Sequence, residues 1–272
     1  MKSFTYADEP TPAPPGAFTD ISFYDSIMDI PMHRLNEFQI HLSQDAGIGS
    51  TLLDFDRRME SVDMALSAND MPTAIQERYN SRLGLFLMLG RVSTAARCLA
   101  DLVYSIDGVA LADFSNDGLL EVHRRIMERM TQTDVSELID KLKKKFKREL
   151  KTAFPKLFAD DEELQFYANI VRRALLQYED AISPVEELPN AEISEIDRWI
   201  RKQMQPENFD FNSPENAVDT RRRDFEQVCT ALAMAGISNA ENLTAYKFHS
   251  RILYINNHKR NNGINAETNP NE

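Results

Sequence analysis

The sequence predicts an all-α protein, a multi-helix bundle with a smaller C-terminal helical module and disordered termini. The segment from Asp134 to Leu157 repeats apolar residues every three or four positions, which is the period of one helix face. The chain of 272 residues contains only 9 glycines, a composition that favours helix over sheet. No segment shows the sustained polar–apolar alternation that is typical of strands.

The clearest predicted helix begins at Asp134, which stands where an N-cap acceptor belongs and is followed three residues later by Glu137. Its first turns are acidic and the segment from Lys141 to Lys151 is basic, an order that the helix dipole favours. One helix cannot bury its own apolar stripe, so further helices must cover it. The predicted inward residues are Val135, Leu138, Ile139, Leu142, Phe146, Leu150, Phe154 and Leu157.

Five helices are predicted before this one from their caps and apolar periods. They run from Pro31 to Ala46, from Ser50 or Thr51 to Ala68, from Asp70 to Gly90, from Ser93 to Gly108, and from Asn116 or Asp117 to about Met130. The third and fourth are the most apolar, so we expect them at the centre of the core. We therefore predict that the buried side chains include Leu83, Phe86, Leu99, Leu102 and Val103. The short connection between the fifth and sixth helices predicts antiparallel neighbours.

After the sixth helix, a seventh is predicted from Asp160 or Asp161 to about Tyr178. The proline-containing acidic segment from Ser183 to Glu192 is the predicted domain boundary. Three further helices follow, from Ser194 to Met204, from Pro214 to Ala235, and after a capping box that begins at Ser238. The expected division is a disordered proline-rich arm over 1–19, a main bundle over 20–183, a smaller module over 184–258 and a disordered polar tail over 259–272.

Charge and apolar content limit the class of protein. A formal net charge of −12 argues against general affinity for nucleic acid. No apolar segment approaches the roughly 20 residues that a membrane-spanning helix needs, and no signal-peptide pattern opens the chain. Cys98 and Cys229 lie on apolar helical segments, as expected of buried thiols in a reducing compartment. We therefore expect a cytoplasmic protein without membrane contact.

Two local patterns are candidates for a metal-binding or phosphate-binding site. Glu37, His41 and Asp45 lie four residues apart and would share a helix face, which could form the nucleus of a metal site. Helical di-metal proteins use Glu-x-x-His twice, and this chain has no such pair, so weak pairing on a solvated face is favoured. The segment Gly47–Ser50 lacks the lysine of a phosphate loop and indicates a tight turn. The sequence predicts no catalytic, cofactor-binding or metal-binding residue.

The basic run of the sixth helix is the strongest charge feature of the chain. Such runs are commonly solvated, but this one could also dock an acidic protein or the phosphates of nucleic acid. The candidate partner-binding residues are Lys143, Lys144, Lys147, Arg148 and Lys151.

One segment resembles a known class of proteins. The sequence from Asp29 to Gln39, followed by Asp45–Ser50 and Asp54, resembles the opening of small all-helical proteins encoded among the virion genes of tailed bacteriophages. The last helix is similar to helices of phage tail-assembly helpers at Leu243, Thr244, Tyr246 and Phe248. The resemblance implies a role in virion or tail assembly, in a host cytoplasm or a virion, and it implies no site residues.

The function expected from the sequence is therefore that of a non-enzymatic structural or assembly-assisting interaction protein. Its expected partner is a protein, acidic if the basic run is the contact, and self-association stays open. One alternative is a helical metal-dependent enzyme with a site near Glu37, His41 and Asp45. Another is a nucleic-acid-associated factor that uses residues 141–151, although the net charge disfavours this partner.

Overall fold

The structure, a computed structural model, describes residues 21–111, 116–158, 162–182, 188–203 and 205–267. These residues are predominantly helical, which confirms the predicted all-α class. The helices are α1 (Met32–Gly47), α2 (Leu52–Ser67), α3 (Met71–Leu89), α4 (Thr94–Ala100), α5 (Asn116–Arg129), α6 (Gln132–Ala153), α7 (Glu162–Ile182), α8 (Leu188–Gln203), α9 (Ala217–Met234) and α10 (Ala245–Glu267), with a 3-10 turn at Ala240–Asn242. The predicted arm over 1–19 lies outside the described residues.

Helix α6 carries the predicted stripe, but its first residue differs from the prediction. Thr131, not Asp134, is the N-cap: its hydroxyl accepts the N–H of Asp134 at 3.2 Å, and the Asp134 carboxylate accepts the N–H of Thr131 at 3.0 Å. This reciprocal arrangement is a capping box with Asp134 at its third helical position. The buried residues of the helix are Val135, Ile139, Leu142, Phe146 and Leu150, as the apolar period predicted.

The prediction of a fourth helix reaching Gly108 is wrong in its second half. Helix α4 ends at Ala100, and the chain continues as strand β2 (Val103–Ile106). This strand pairs antiparallel with β1 (Ile21–Phe23) and with β3 (Val109–Ala110), giving a small sheet of order β1-β2-β3. Asp107 and Gly108 join β2 to β3 at φ of 53° and 75°, the left-handed conformation that a two-residue Asp-Gly hairpin turn requires.

Helix α4 and the residues just after it form the centre of the core. Leu99, Leu102 and Val103 are fully buried, as predicted. Helices α1, α5 and α6 all pack against α4. Antiparallel packing of α5 along α6 stays a prediction; both helices pack against α4. A helix of only seven residues can pack against three neighbouring helices because almost all of its side chains are buried.

Helix α3 does not occupy the core position that its apolar content predicted. Phe86 is 73% exposed, and Leu83 is half-buried. The helix packs along α2, and its buried residues are small or polar, namely Ala74, Glu77, Asn80, Ser81 and Gly84. A Cβ atom at Gly84 would lie 2.9 Å from the Ile48 carbonyl oxygen, so a larger residue would push the helix away. Close approach of the backbone therefore helps to place α3, together with Leu83 and Leu87, which pack partly buried against a second apolar cluster.

The C-terminal helices have different packing partners. Helix α7 packs against α8, whereas α9 and α10 both contact α1. Backbone bonds from Met32 N–H to Leu243 O at 2.8 Å and from Ala245 N–H to Ile30 O at 2.9 Å hold the start of α10 against the start of α1. Of the predicted domain boundary from Ser183 to Glu192, residues 183–187 are outside the described residues, and Leu188 to Glu192 form the first turns of α8, which begins six residues before the predicted Ser194. The division into bundle and module stays a prediction. Helix α10 continues to Glu267 and so extends into the predicted tail over 259–272.

Candidate functional site

Helix α6 presents the predicted basic face to solvent. Its apolar stripe is buried, while Lys143, Lys144, Lys147 and Arg148 are exposed and Lys151 is half-buried. Lys144, Arg148 and Lys151 lie opposite the stripe and Lys143 and Lys147 lie beside it, because an α-helix turns about 100° per residue. We call Lys143, Lys144, Lys147, Arg148 and Lys151 the basic face of α6.

The flank of α6 beside the basic face is used within the protein. Lys145 pairs with Asp25 at 2.8 Å. The Glu149 carboxylate accepts the N–H of Ile27 at 2.9 Å and the hydroxyl of Ser26 at 3.2 Å. These bonds hold the segment between β1 and α1 against the helix. The polar surface of α6 is therefore divided into an internal flank and an external basic face.

The three side chains considered for a metal site do not converge. Glu37 accepts two bonds from the Arg222 guanidinium at 3.0 and 2.7 Å, His41 contacts Asp101, and Asp45 accepts the Thr94 hydroxyl at 2.5 Å. They share a face of α1, but each one has a partner from a different part of the chain. Within the described ranges, no group of three or more His, Cys, Asp and Glu side chains is placed to hold a metal ion.

A buried polar cluster links α1 to the end of α4. His41 Nδ1 lies 2.5 Å from Asp101 Oδ2, and both side chains are almost fully buried. Arg34 donates from Nε to the Asp101 carbonyl at 2.7 Å and from Nη2 to the carbonyls of Val103 at 2.9 Å and Ala100 at 3.2 Å. Burial raises the pKa of the Asp101 carboxyl, and the hydrogen bond from His41 opposes this rise. Burial likewise lowers the pKa of Arg34.

Sequence reasoning did not find Arg34 and Asp101. A signal was present, because Arg34 and His41 lie two turns apart on the face of α1 that also carries Leu35 and Phe38. Charged residues within an apolar stripe indicate a buried polar partner. The identity of that partner was not readable, since Asp101 lies 60 residues from His41 in the chain.

The second basic run of the sequence is engaged inside the protein. Arg221 pairs with Glu207, Arg222 pairs with Glu37, and Arg223 donates to the Pro214 carbonyl at 3.2 Å. These bonds fasten the start of α9 to the preceding loop and to α1. The three arginines therefore help to hold α9 in place, although Arg222 and Arg223 are themselves exposed.

A pocket of about 120 Å³ lies beside the polar cluster. His41 and Ile48 of α1, Leu83 and Leu87 of α3, and Arg222 of α9 are among its lining residues. The segment from Val92 to Arg97 and the loop residue Phe211 complete the wall. The pocket thus lies where five separate parts of the chain meet, an arrangement that the sequence pattern did not predict.

Helix α7 leaves an apolar stripe exposed. Its large apolar side chains recur at helical spacing and all are at least 40% exposed: Tyr167, Ile170, Val171, Leu175, Tyr178 and Ile182. We call these six residues the α7 stripe. The opposite side of the helix packs against α8 through Leu176, which is buried, and through the ring contact of Phe166 with Trp199 at 6.4 Å. An apolar stripe of this length is typical of a macromolecular contact surface.

The two cysteine thiols lie in surroundings that disfavour the thiolate form. Cys98 and Cys229 are free, and burial raises the pKa of both thiols, the opposite of what activates a nucleophilic cysteine.

Among the described helices, none is by itself long and apolar enough to cross a membrane. Helices α3 and α4 taken together reach that length and composition, with a 77° bend between them.

Comparison of this chain with protein family models, with curated proteins and with solved structures finds no match. The fold and these surfaces define a mostly helical protein whose described residues include an exposed basic face on α6 and an exposed apolar stripe on α7. Any functional conclusion therefore rests on the residues described above.

Proposed function

We propose that this protein is a non-enzymatic interaction protein, with a structural or assembly-assisting role, that binds an acidic protein through the basic face of α6. One observation carries the proposal. In a chain of net charge −12, α6 keeps its whole apolar stripe in the core and holds Lys143, Lys144, Lys147 and Arg148 in solvent. An acidic partner approaches this face with less repulsion than the rest of the surface would cause.

The α7 stripe supports the same class of function. Isolated exposed apolar side chains are normal on proteins, but six at helical spacing on one helix form a continuous strip. Macromolecular contacts are the usual reason for such a strip. The chemistry of the partner is argued from α6 alone.

The rival functions receive less support from the described residues. The metalloenzyme alternative needs Glu37, His41 and Asp45 to converge, and each is bonded to a different partner. The nucleic-acid alternative uses the same basic face but has to overcome the net charge of the chain. From the sequence resemblance we keep the proposal that the assembly belongs to a tailed-phage particle.

The proposal is tested by measuring the binding of fluorescent polyglutamate, a model acidic chain, to the full-length protein. Lys143→Glu, Lys144→Glu and Lys147→Glu together should weaken this binding more than tenfold at low salt, and added salt should weaken it in the parent protein. The matched control changes Arg57, Arg78 and Arg82 to Glu; these arginines are exposed on α2 and α3 and give the same change in net charge.

Retention of binding by the control and loss by the α6 variant would support the proposal. Equal loss in both variants would show that only net charge matters and would overturn it. Tighter binding of duplex DNA than of polyglutamate to the same face would transfer the proposal to nucleic acid. A second copy of the chain is itself acidic, so light scattering of the parent and of the α6 variant shows whether the partner is the protein itself.

A further inference from the structure

The pocket beside the polar cluster has an unusual charge composition. It is lined by His41, Arg97 and Arg222, and none of its lining residues is acidic. The chain as a whole has 43 acidic residues against 31 lysines and arginines, so the composition of this wall runs opposite to that of the protein. Most of the remaining wall is apolar, as in Ile48, Leu83 and Val218. A few polar groups in an apolar concavity are typical of a small-molecule site.

The carboxylates near the pocket are already bonded to other groups. Glu37 holds Arg222 in a two-bond ion pair, Asp101 holds His41, and Asp45 accepts the Thr94 hydroxyl. The Glu37 carboxylate thus offsets the positive charge of Arg222, and the Asp101 carboxylate offsets that of Arg34 or His41. Among the described residues, Arg97 is the lining residue whose positive charge has no such carboxylate partner.

Arg97 is half-buried on α4, and among the described residues no carboxylate forms an ion pair with it. Burial is the main cause of the lowered pKa of the nearby His123, and the positive charge of Arg97 also lowers that pKa. His41 offers a second polar atom: its Nδ1 contacts Asp101, so Nε2 is the ring nitrogen left for an occupant. A guanidinium in a mostly apolar wall that has no carboxylate partner among the described residues favours an anionic occupant.

We propose that this pocket binds a small carboxylate with a compact apolar body, Arg97 pairing with the carboxylate and the apolar wall holding the body. The volume of about 120 Å³ sets the size of that body. An engineered apolar cavity of about 150 Å³ holds a benzene molecule, so this pocket takes a branched aliphatic group of four or five carbons. The site is separate from the basic face of α6 and does not depend on the function proposed for it.

The probes for a test are 3-methylbutanoate, its neutral amide and acetate, titrated into the full-length ¹⁵N-labelled protein and followed by amide chemical shifts. We expect 3-methylbutanoate to bind at least tenfold more tightly than either of the others, with shifts at residues of the pocket wall such as Gln44 and Val92. If the amide binds as tightly as 3-methylbutanoate, the negative charge does not contribute to binding. If acetate binds as tightly, contacts with the apolar wall do not contribute. Either result would overturn the proposal.

The Arg97→Met variant separates the guanidinium from the length of the side chain. It should weaken 3-methylbutanoate at least tenfold, while Arg82→Met, a change on the exposed side of α3, should leave binding unchanged. Unchanged binding in Arg97→Met would overturn the assignment of Arg97. If that variant does not fold, the comparison of acid, amide and acetate in the parent protein still decides the proposal.

Discussion

His41 Nδ1 lies 2.5 Å from Asp101 Oδ2, and this contact joins the middle of α1 to the residue that caps the C-terminal end of α4. Arg34 completes the connection by donating to three backbone carbonyls between Ala100 and Val103. The carbonyls at a helix end have no partner within the helix, so a buried end requires donors from elsewhere. The arginine and histidine of α1 therefore stabilise the point where the chain leaves α4 and enters β2.

The first prediction concerns Asp101. Asp101→Ala should lower the free energy of unfolding by roughly 3–5 kcal/mol, because it leaves His41 and Arg34 buried without the carboxylate. Asp25→Ala is the control, since it removes a surface ion pair with Lys145 and should cost about 1 kcal/mol or less. Urea unfolding measures both values. Similar small losses in both variants would mean that the cluster contributes little to stability.

The second prediction uses two phenylalanines with opposite exposure. Phe146→Ala should cost roughly 3–5 kcal/mol, because this α6 side chain is buried and packs edge-on against Phe38 with ring centroids 6.0 Å apart. Phe86→Ala should change stability by only about 0.5 kcal/mol, because Phe86 is in solvent. Denaturant midpoints of the two variants provide the measurement. A cost for Phe86 as large as that for Phe146 would place α3 in the core after all.

The third prediction compares consecutive leucines of α7. Leu176 is 5% exposed against α8, whereas Leu175 is 49% exposed on the α7 stripe. Leu176→Ala should cost roughly 2–5 kcal/mol and Leu175→Ala about 0.5 kcal/mol. Trp199 is the only tryptophan and lies on α8, so its fluorescence reports the unfolding of this helix pair. Equal costs would show that something covers the stripe.

The elements predicted correctly are those whose buried face is apolar. In α6 the apolar period and the burial coincide, so residues from Val135 to Leu150 were placed on the correct side. In α3 they do not coincide, because the inner face carries Glu77, Asn80 and Gly84. These residues bond to other parts of the chain, as when Asn80 donates to the Glu207 carbonyl at 3.0 Å. Counting apolar residues therefore indicated the wrong face.

The short strands had a signal that was assigned to a helix. Val103 and Ile106 are β-branched and precede Asp107-Gly108, the dipeptide most favoured in two-residue hairpin turns. An apolar run of this length fits a helix or a strand equally well by periodicity. The pocket could not be predicted at all, since its wall combines residues from His41 to Arg222 that only the fold brings together.

The last prediction concerns His249, which lies on α10 among aromatic rings. The ring centroids of Phe158, Phe248 and Phe154 are 5.3, 5.6 and 5.7 Å from that of the imidazole. Burial lowers the pKa of His249 from its ordinary value of 6.5 to about 4, because the charged form loses its hydration. The folded protein therefore keeps this imidazole neutral at pH values where the unfolded chain has already bound a proton.

The sign of the effect follows from proton binding. Well above pH 6.5, His249 is neutral in both the folded and the unfolded state. In that range it contributes no pH dependence to the free energy of unfolding. As the pH falls from 6.5 towards 4, only the unfolded chain gains the proton, so the folded state loses stability. The loss approaches about 3 kcal/mol near pH 4, since one pKa unit corresponds to about 1.4 kcal/mol.

Urea unfolding at pH 7.5 and pH 4.5 of the parent protein and of His249→Gln measures this loss. The glutamine is neutral at both pH values, so the parent should lose about 2–3 kcal/mol more than the variant between them. Glu121, whose pKa is lowered to about 2 by bonds from Arg124 and Arg125, also contributes to acid sensitivity, but equally in both proteins. Equal losses in the two proteins would show that His249 becomes charged within the fold, which its aromatic surroundings should prevent.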